Sequence, residues 1–262
     1  MSSPIITTSD LTIGYSNKQS DVTIQSNLNL KAMPGEFICL IGPNGCGKST
    51  LLHTLSGLIP PLSGKILINN NNIRTMPLQE RAKEMSFVPT EEIDAPLMTV
   101  NELVSLGRSP YTGWKGILHE KDKEIVSQSI NQVMLTGFES RTITSLSDGE
   151  KQRASIARAF AQDTPIILLD EPTAHLDINN RIEILILLIH LAHDIGKTVL
   201  LSTHELELAI DLADKIWLMN KKEMHIGKPN ELIENGNIQN IFHGKSYTFD
   251  ATERRFIIKY TH

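Results

Sequence analysis

Apolar and polar residues alternate through the first thirty positions, where Leu11, Ile13, Val22, Ile24, Leu28 and Leu30 stand among polar neighbours. A period of two marks half-buried antiparallel strands and predicts a hairpin region over residues 5–30. Residues 37–41, 166–169 and 199–201 are instead continuous apolar runs, as in strands buried on both faces of a parallel sheet. Helix-period segments follow at 48–57, 177–193 and 205–213, and this strand–helix order predicts an α/β core. Between 91 and 160 the pattern is mostly helical, with candidates at 99–106, 120–136 and 149–162. This predicts a single domain whose core, residues 1–90 and 160–245, carries an inserted helical subdomain at 91–159. Residues 246–262 are an extension in which Tyr247, Phe249 and the apolar stretch 256–258 predict a terminal hairpin covering an edge of the core. The run Asn69 to Asn72 predicts a turn.

Composition narrows the function classes. With 262 residues, 40% hydrophobic and 21% charged, the chain has the apolar material for a substantial core. A formal net charge of −5 gives no support to a basic nucleic-acid surface. Cys39 and Cys46 lack metal-ligand spacing, which predicts a reduced, cytoplasmic setting. Residues 1–10 offer neither a basic segment nor an apolar stretch of signal-peptide length, so the expectation is a protein that stays where it is made. The most apolar segment, 184–189, falls far short of the ~20 residues that span a bilayer. Any membrane role is therefore expected to come from docking on another subunit.

The strongest chemical signal is Gly42-Pro43-Asn44-Gly45-Cys46-Gly47-Lys48-Ser49-Thr50, a phosphate-loop pattern directly after an apolar strand and before a helical run. Its glycines let successive N–H groups turn inward, and the following helix adds the positive end of its dipole. Lys48 brings a full charge to the terminal phosphates, and Ser49 is the candidate ligand for Mg²⁺. Asp170 and Glu171 end another apolar run, where α/β sheets gather their ligands. Asp170 is the candidate metal carboxylate and Glu171 the candidate general base for activating water. Each pattern also has a plainer reading, a Gly-rich turn or a solvated strand end, but the two support each other.

Leu146-Ser147-Asp148-Gly149-Glu150-Lys151-Gln152-Arg153 resembles the signature sequence that sets ABC ATPases apart from other phosphate-loop proteins, with Asp148 where the family usually has a second glycine. Ser147 and Glu150 also read as a capping box opening a helix. Thr173-Ala174-His175-Leu176-Asp177 resembles the family's D-loop and Ser202-Thr203-His204-Glu205 its switch-histidine loop. Tyr15 resembles the aromatic residue that stacks on adenine, although it could equally be a packing residue at a strand end. Thr90 stands where the family has a glutamine. Its hydroxyl is too short for the same reach to Mg²⁺, so either water fills the gap or Glu91 or Glu92 replaces the contact.

The resemblance implies a phosphate-loop, RecA-like α/β core with an antiparallel β subdomain and an inserted helical subdomain. It implies ATP and Mg²⁺ as ligands, with Glu171, His204 and Lys48 catalytic. It also implies a head-to-tail homodimer in which Ser147, Asp148, Gly149 and Glu150 of one subunit close over ATP held by residues 42–50 of the other. The expected partners are transmembrane permease subunits and an extracytoplasmic substrate-binding protein, with the chain peripheral on the inner face of the membrane and no nucleic acid bound. Residues 106–111 and the D-loop wording look most like importer ATPases for iron chelates, haem and cobalamin. A zinc or manganese importer, an exporter with a separate ATPase chain, or a soluble ABC ATPase acting on ribosomes or DNA are the alternatives.

Overall fold

The computed structural model describes residues 3–16, 20–90, 95, 97–174, 176–244 and 246–258. Its strands are β1 (Ile6–Ser16), β2 (Asp21–Leu28), β3 (Lys31–Ala32), β4 (Phe37–Ile41), β5 (Ser63–Ile68), β6 (Asn71–Asn72), β7 (Met85–Val88), β8 (Ile166–Asp170), β9 (Thr198–Thr203), β10 (Lys215–Met219), β11 (Met224–Gly227), β12 (Tyr247–Asp250) and β13 (Arg255–Ile258). The helices are α1 (Lys48–Leu55), α2 (Leu78–Glu84), α3 (Val100–Ser105), α4 (Ser109–Thr112), α5 (Glu120–Gln132), α6 (Asp148–Ala161), α7 (Ile178–His193), α8 (Leu206–Leu212), α9 (Pro229–Glu234) and α10 (Asn237–Ile241). The chain divides into two compact units, residues 1–74 with 200–262, and residues 75–199.

In the first unit the alternating segment forms an antiparallel sheet ordered β2-β1-β5-β6, with β3 beside β1. Leu11 and Ile13 point into the core while Asp10 and Thr12 do not, which is what the period of two demands. Asn69 and Asn70 both take left-handed backbone, with φ 48° and 64°, and make the two-residue turn joining β5 to β6. The continuous apolar run becomes β4, which pairs in parallel with β10 and lies beside β9. All five residues of β4 are buried, as is Trp217 on β10. Each such large apolar side chain contributes about 1.5–3 kcal/mol by leaving water. The last two strands, β12 and β13, pair antiparallel, and Phe256 meets Phe242, Tyr247 and Phe249 edge to face.

In the second unit β7 and β8 pair in parallel, and β8 is wholly buried. Helix α3 packs on α5 and α6. An ion pair locks this helical cluster. Arg108 donates through Nε to Asp122 at 2.9 Å and through Nη1 to the Ala161 carbonyl at 2.8 Å, while its guanidinium lies 4.0 Å from the Tyr111 ring centroid. Burial works against the Asp122 carboxylate. Hydrogen bonds from Arg108 and the His119 backbone N–H outweigh that effect and hold its pKa below the usual carboxylate value.

Arg108→Leu, which strands that carboxylate, is expected to cost about 3–5 kcal/mol in denaturant unfolding near neutral pH. Because the folded pKa is depressed, the pair's contribution is present above the ordinary carboxylate range and lost as pH falls through the folded value. The stability difference between wild type and variant should therefore shrink in acid, and a difference independent of pH would contradict this account. Among the described residues no helix is long and apolar enough to cross a membrane.

Candidate functional site

In the first unit, residues 42–47 leave the end of β4 and fold into a loop that opens α1. Gly42 and Cys46 are buried, whereas Pro43, Asn44 and Gly45 are exposed at the loop's tip. Gly47 caps the helix with φ 109°, and a Cβ there would stand 2.4 Å from Ile24 Cγ2. Only glycine fits both the backbone angle and the space. The first bond of the helix is from Leu51 N–H to the Gly47 carbonyl, so the amides of Lys48, Ser49 and Thr50 precede the regular ladder. Burial raises the Cys46 thiol pKa, against the lowering influence of Lys48, so the thiol stays protonated at neutral pH.

Lys48 is buried, with Nζ donating to the Gly42 carbonyl at 3.0 Å and the Pro43 carbonyl at 3.5 Å. It also lies 3.5 Å from His204 Nδ1, and since an ammonium has only protons to offer, Nδ1 is the acceptor in that long contact. His204 itself is exposed, just past β9. Ser49 is exposed on the first turn of α1, while Thr50 beside it is buried and meets the hydroxyl of Tyr15 at 3.0 Å. The first unit thus brings Lys48 to His204 and Tyr15 to Thr50.

In the second unit Asp170 is the buried last residue of β8. Glu171 follows with φ 48°, a left-handed conformation uncommon for a residue with a side chain. The Thr90 hydroxyl donates to the backbone carbonyl of Asp170 at 2.9 Å, so its proton is committed to fastening the ends of β7 and β8. Glu91, Glu92 and His175 lie outside the described residues.

Ser147 caps α6: its Oγ accepts from Glu150 N–H at 3.3 Å, and the Glu150 carboxylate accepts from Ser147 N–H at 2.7 Å. Asp148, the departure from glycine, occupies the first position of that helix and pairs with Lys151 at 3.0 Å. An acid there suits the positive end of the dipole. Gly149 is buried, and a Cβ in its place would meet Asn180 at 2.7 Å. Asp177 caps α7, accepting from the backbone and side chain of Asn180, which lowers its pKa. Asn180, Ile24 and Thr50's contact with Tyr15 were not foreseeable from motifs, because each joins positions far apart in the chain.

Residues 25–174 match the profile of a family described as ABC transporter. The petrobactin import ATP-binding protein FpuD of Bacillus anthracis is 39% identical over 236 residues, covering 90% of this chain and 85% of that protein. The probable siderophore transport system ATP-binding protein YusV of Bacillus subtilis is 39% identical over 238 residues, covering 90% of this chain and 85% of that one. Among solved structures, a metal-chelate-type ABC transporter in an inward-facing conformation superposes with a TM-score of 0.81 at 28% identity, covering 98% of both chains. The phosphate-loop pattern, the capped helix α6 and these matches agree, and the chain belongs to the ABC transporter family as an ATP-binding protein.

Proposed function

We propose that this chain is the ATP-hydrolysing subunit that drives import of an iron complex, such as a ferric siderophore, through a separate membrane permease. The observation that carries the engine is the phosphate loop, with its glycine-only cap at Gly47 and its buried Lys48. What supports the cargo is the likeness to petrobactin and siderophore import proteins, together with the resemblance of residues 106–111 to importer ATPases. In this reading residues 91–159 act as the helical subdomain, and the chain sits on the inner face of the membrane through its permease. An extracytoplasmic binding protein delivers the cargo.

In the proposed mechanism residues 42–50 wrap the phosphates with backbone N–H groups, and Tyr15 stacks on adenine. Lys48 leaves the loop carbonyls to meet phosphate oxygens, and His204 senses the γ-phosphate. Ser49 and Asp170 offer hard oxygen donors. They suit Mg²⁺, which takes few carboxylates and keeps waters and phosphate oxygens. Among the described residues no cluster of three or more His, Cys, Asp or Glu side chains offers a competing all-protein metal site. Mg²⁺ held by such donors would neutralise charge on the β- and γ-phosphates.

Glu171 accepts the proton of the attacking water. A second copy closes over the nucleotide with Ser147 to Glu150. Capping uses a lone pair of the Ser147 hydroxyl and leaves its proton to donate to an anion, adding a fixed donor where charge shifts in the transition state. Asp177 of the D-loop stiffens the same face.

The cargo is tested by uptake of radioactive iron and of labelled cobalamin in cells lacking the chain, complemented with wild type or with Lys48→Ala. Ferric-siderophore uptake is expected to return only with wild type, and cobalamin uptake to be indifferent. Restoration of cobalamin uptake alone would replace the iron reading with the cobalamin one.

A further inference from the structure

Helix α1, which the loop opens, carries a contact that the motifs do not contain. Tyr15 is the next-to-last residue of β1 and pairs with Val22 on β2, yet the residue is 46% exposed. A half-exposed aromatic ring is free to sample rotamers, and holding it in one of them removes an ordering cost from ligand binding. The observed restraint is at its tip, where the phenol oxygen lies 3.0 Å from Thr50 Oγ1. Thr50 is a firm anchor. It is buried on the first turn of α1, and its backbone carbonyl accepts from the Thr54 hydroxyl at 2.7 Å. One residue away stands Ser49 and two away Lys48, so the hydrogen bond joins the strand carrying the ring to the helix that residues 42–47 open.

We infer that Thr50 is a positioning residue for Tyr15. Its hydroxyl holds the phenol ring in the orientation that receives adenine, so that part of the chain's affinity for ATP comes from a ring set in place before the nucleotide arrives. This rests on the reading of residues 42–50 as the ATP site with Tyr15 against the base. The tether requires a hydroxyl on each partner and no particular bulk beyond it, which makes it separable from ring stacking and from any contact Thr50 makes to phosphate.

The test is equilibrium binding of two probes to the full chain, ATP and inorganic tripolyphosphate, the second having phosphates but no base. Tyr15→Phe and Thr50→Val are each expected to weaken ATP by about two- to tenfold, the range for one net hydrogen bond. The double variant should be no weaker than the worse single variant, since both remove one bond. Thr50→Ser should recover ATP affinity, and Tyr15→Phe should leave tripolyphosphate binding where it was.

Tyr15→Phe equal to wild type for ATP, with Tyr15→Ala clearly weaker, would overturn the tether while leaving the base contact standing. Tyr15→Ala equal to wild type would remove the base contact itself, and the tether with it. Thr50→Val weakening both probes equally, with Tyr15→Phe silent, would assign Thr50 to phosphate alone and also overturn the inference.

Discussion

Replacing Glu171 with glutamine is expected to lower ATP turnover by about 10²–10⁴-fold, the usual contribution of a positioned general base, while ATP binding persists. The substitution keeps the shape of the side chain and removes its charge and its ability to take a proton. Backbone geometry makes the comparison clean. Glu171 has φ 48°, and glutamine meets the same strain there as glutamate, so the variant should fold as the wild type does. A non-glycine residue in this region directly after a buried strand is the kind of strain found where function fixes the conformation. Phosphate release measured beside nucleotide affinity separates the outcomes. Loss of turnover with retained affinity supports Glu171 as the base, whereas turnover within tenfold of wild type would mean that water is activated by another group.

Gly47→Ala should also be damaging, but through binding. An alanine at φ 109° carries a backbone cost of roughly 1–2 kcal/mol. Its Cβ would also stand 2.4 Å from Ile24 Cγ2 and 3.1 Å from Met219 Cε, where carbon atoms prefer about 3.5–4.0 Å. Relief of both requires the loop to open, and the amides it presents would then no longer converge on one anion. ATP affinity is expected to fall by about tenfold or more, since about 1.4 kcal/mol is already a factor of ten. Trimming the obstruction with Ile24→Ala in the same chain should recover part of the affinity, because it removes the clash and leaves the backbone strain. Wild-type affinity in Gly47→Ala alone would show that the loop's shape is not what binds nucleotide.

These contacts also mark what could be read before the fold was known. The buried parallel strands were legible because a continuous apolar run such as 37–41 or 166–169 has few other uses next to a helix-period segment. They appear as β4 and β8. The capping box at Ser147 and Glu150 was legible for the same local reason: both bonds lie within four residues. Strand β10 was not, because Lys215–Met219 comes directly after α8 and no helix-period segment follows it, and without one periodicity cannot separate a short apolar run from a helix end.

The partnerships within each unit were hidden by distance along the chain. Lys48 meets His204 across 156 positions, and Thr90 reaches the Asp170 carbonyl across 80. The Thr90 hydroxyl, too short for the reach of a glutamine to the metal, donates to the backbone carbonyl of the neighbouring strand end.

If ATP is hydrolysed at a site completed by a second copy of the chain, two inactive variants should restore one another when mixed. Lys48→Ala should disable a subunit's own phosphate loop, and Ser147→Arg should disable what that subunit offers its partner. Each variant is predicted to be inactive alone, and their mixture to regain ATP turnover, since a mixed pair assembles one intact site from the loop of one chain and the signature of the other. Full turnover by Ser147→Arg alone would contradict the claim, because the site would then be complete within a single chain.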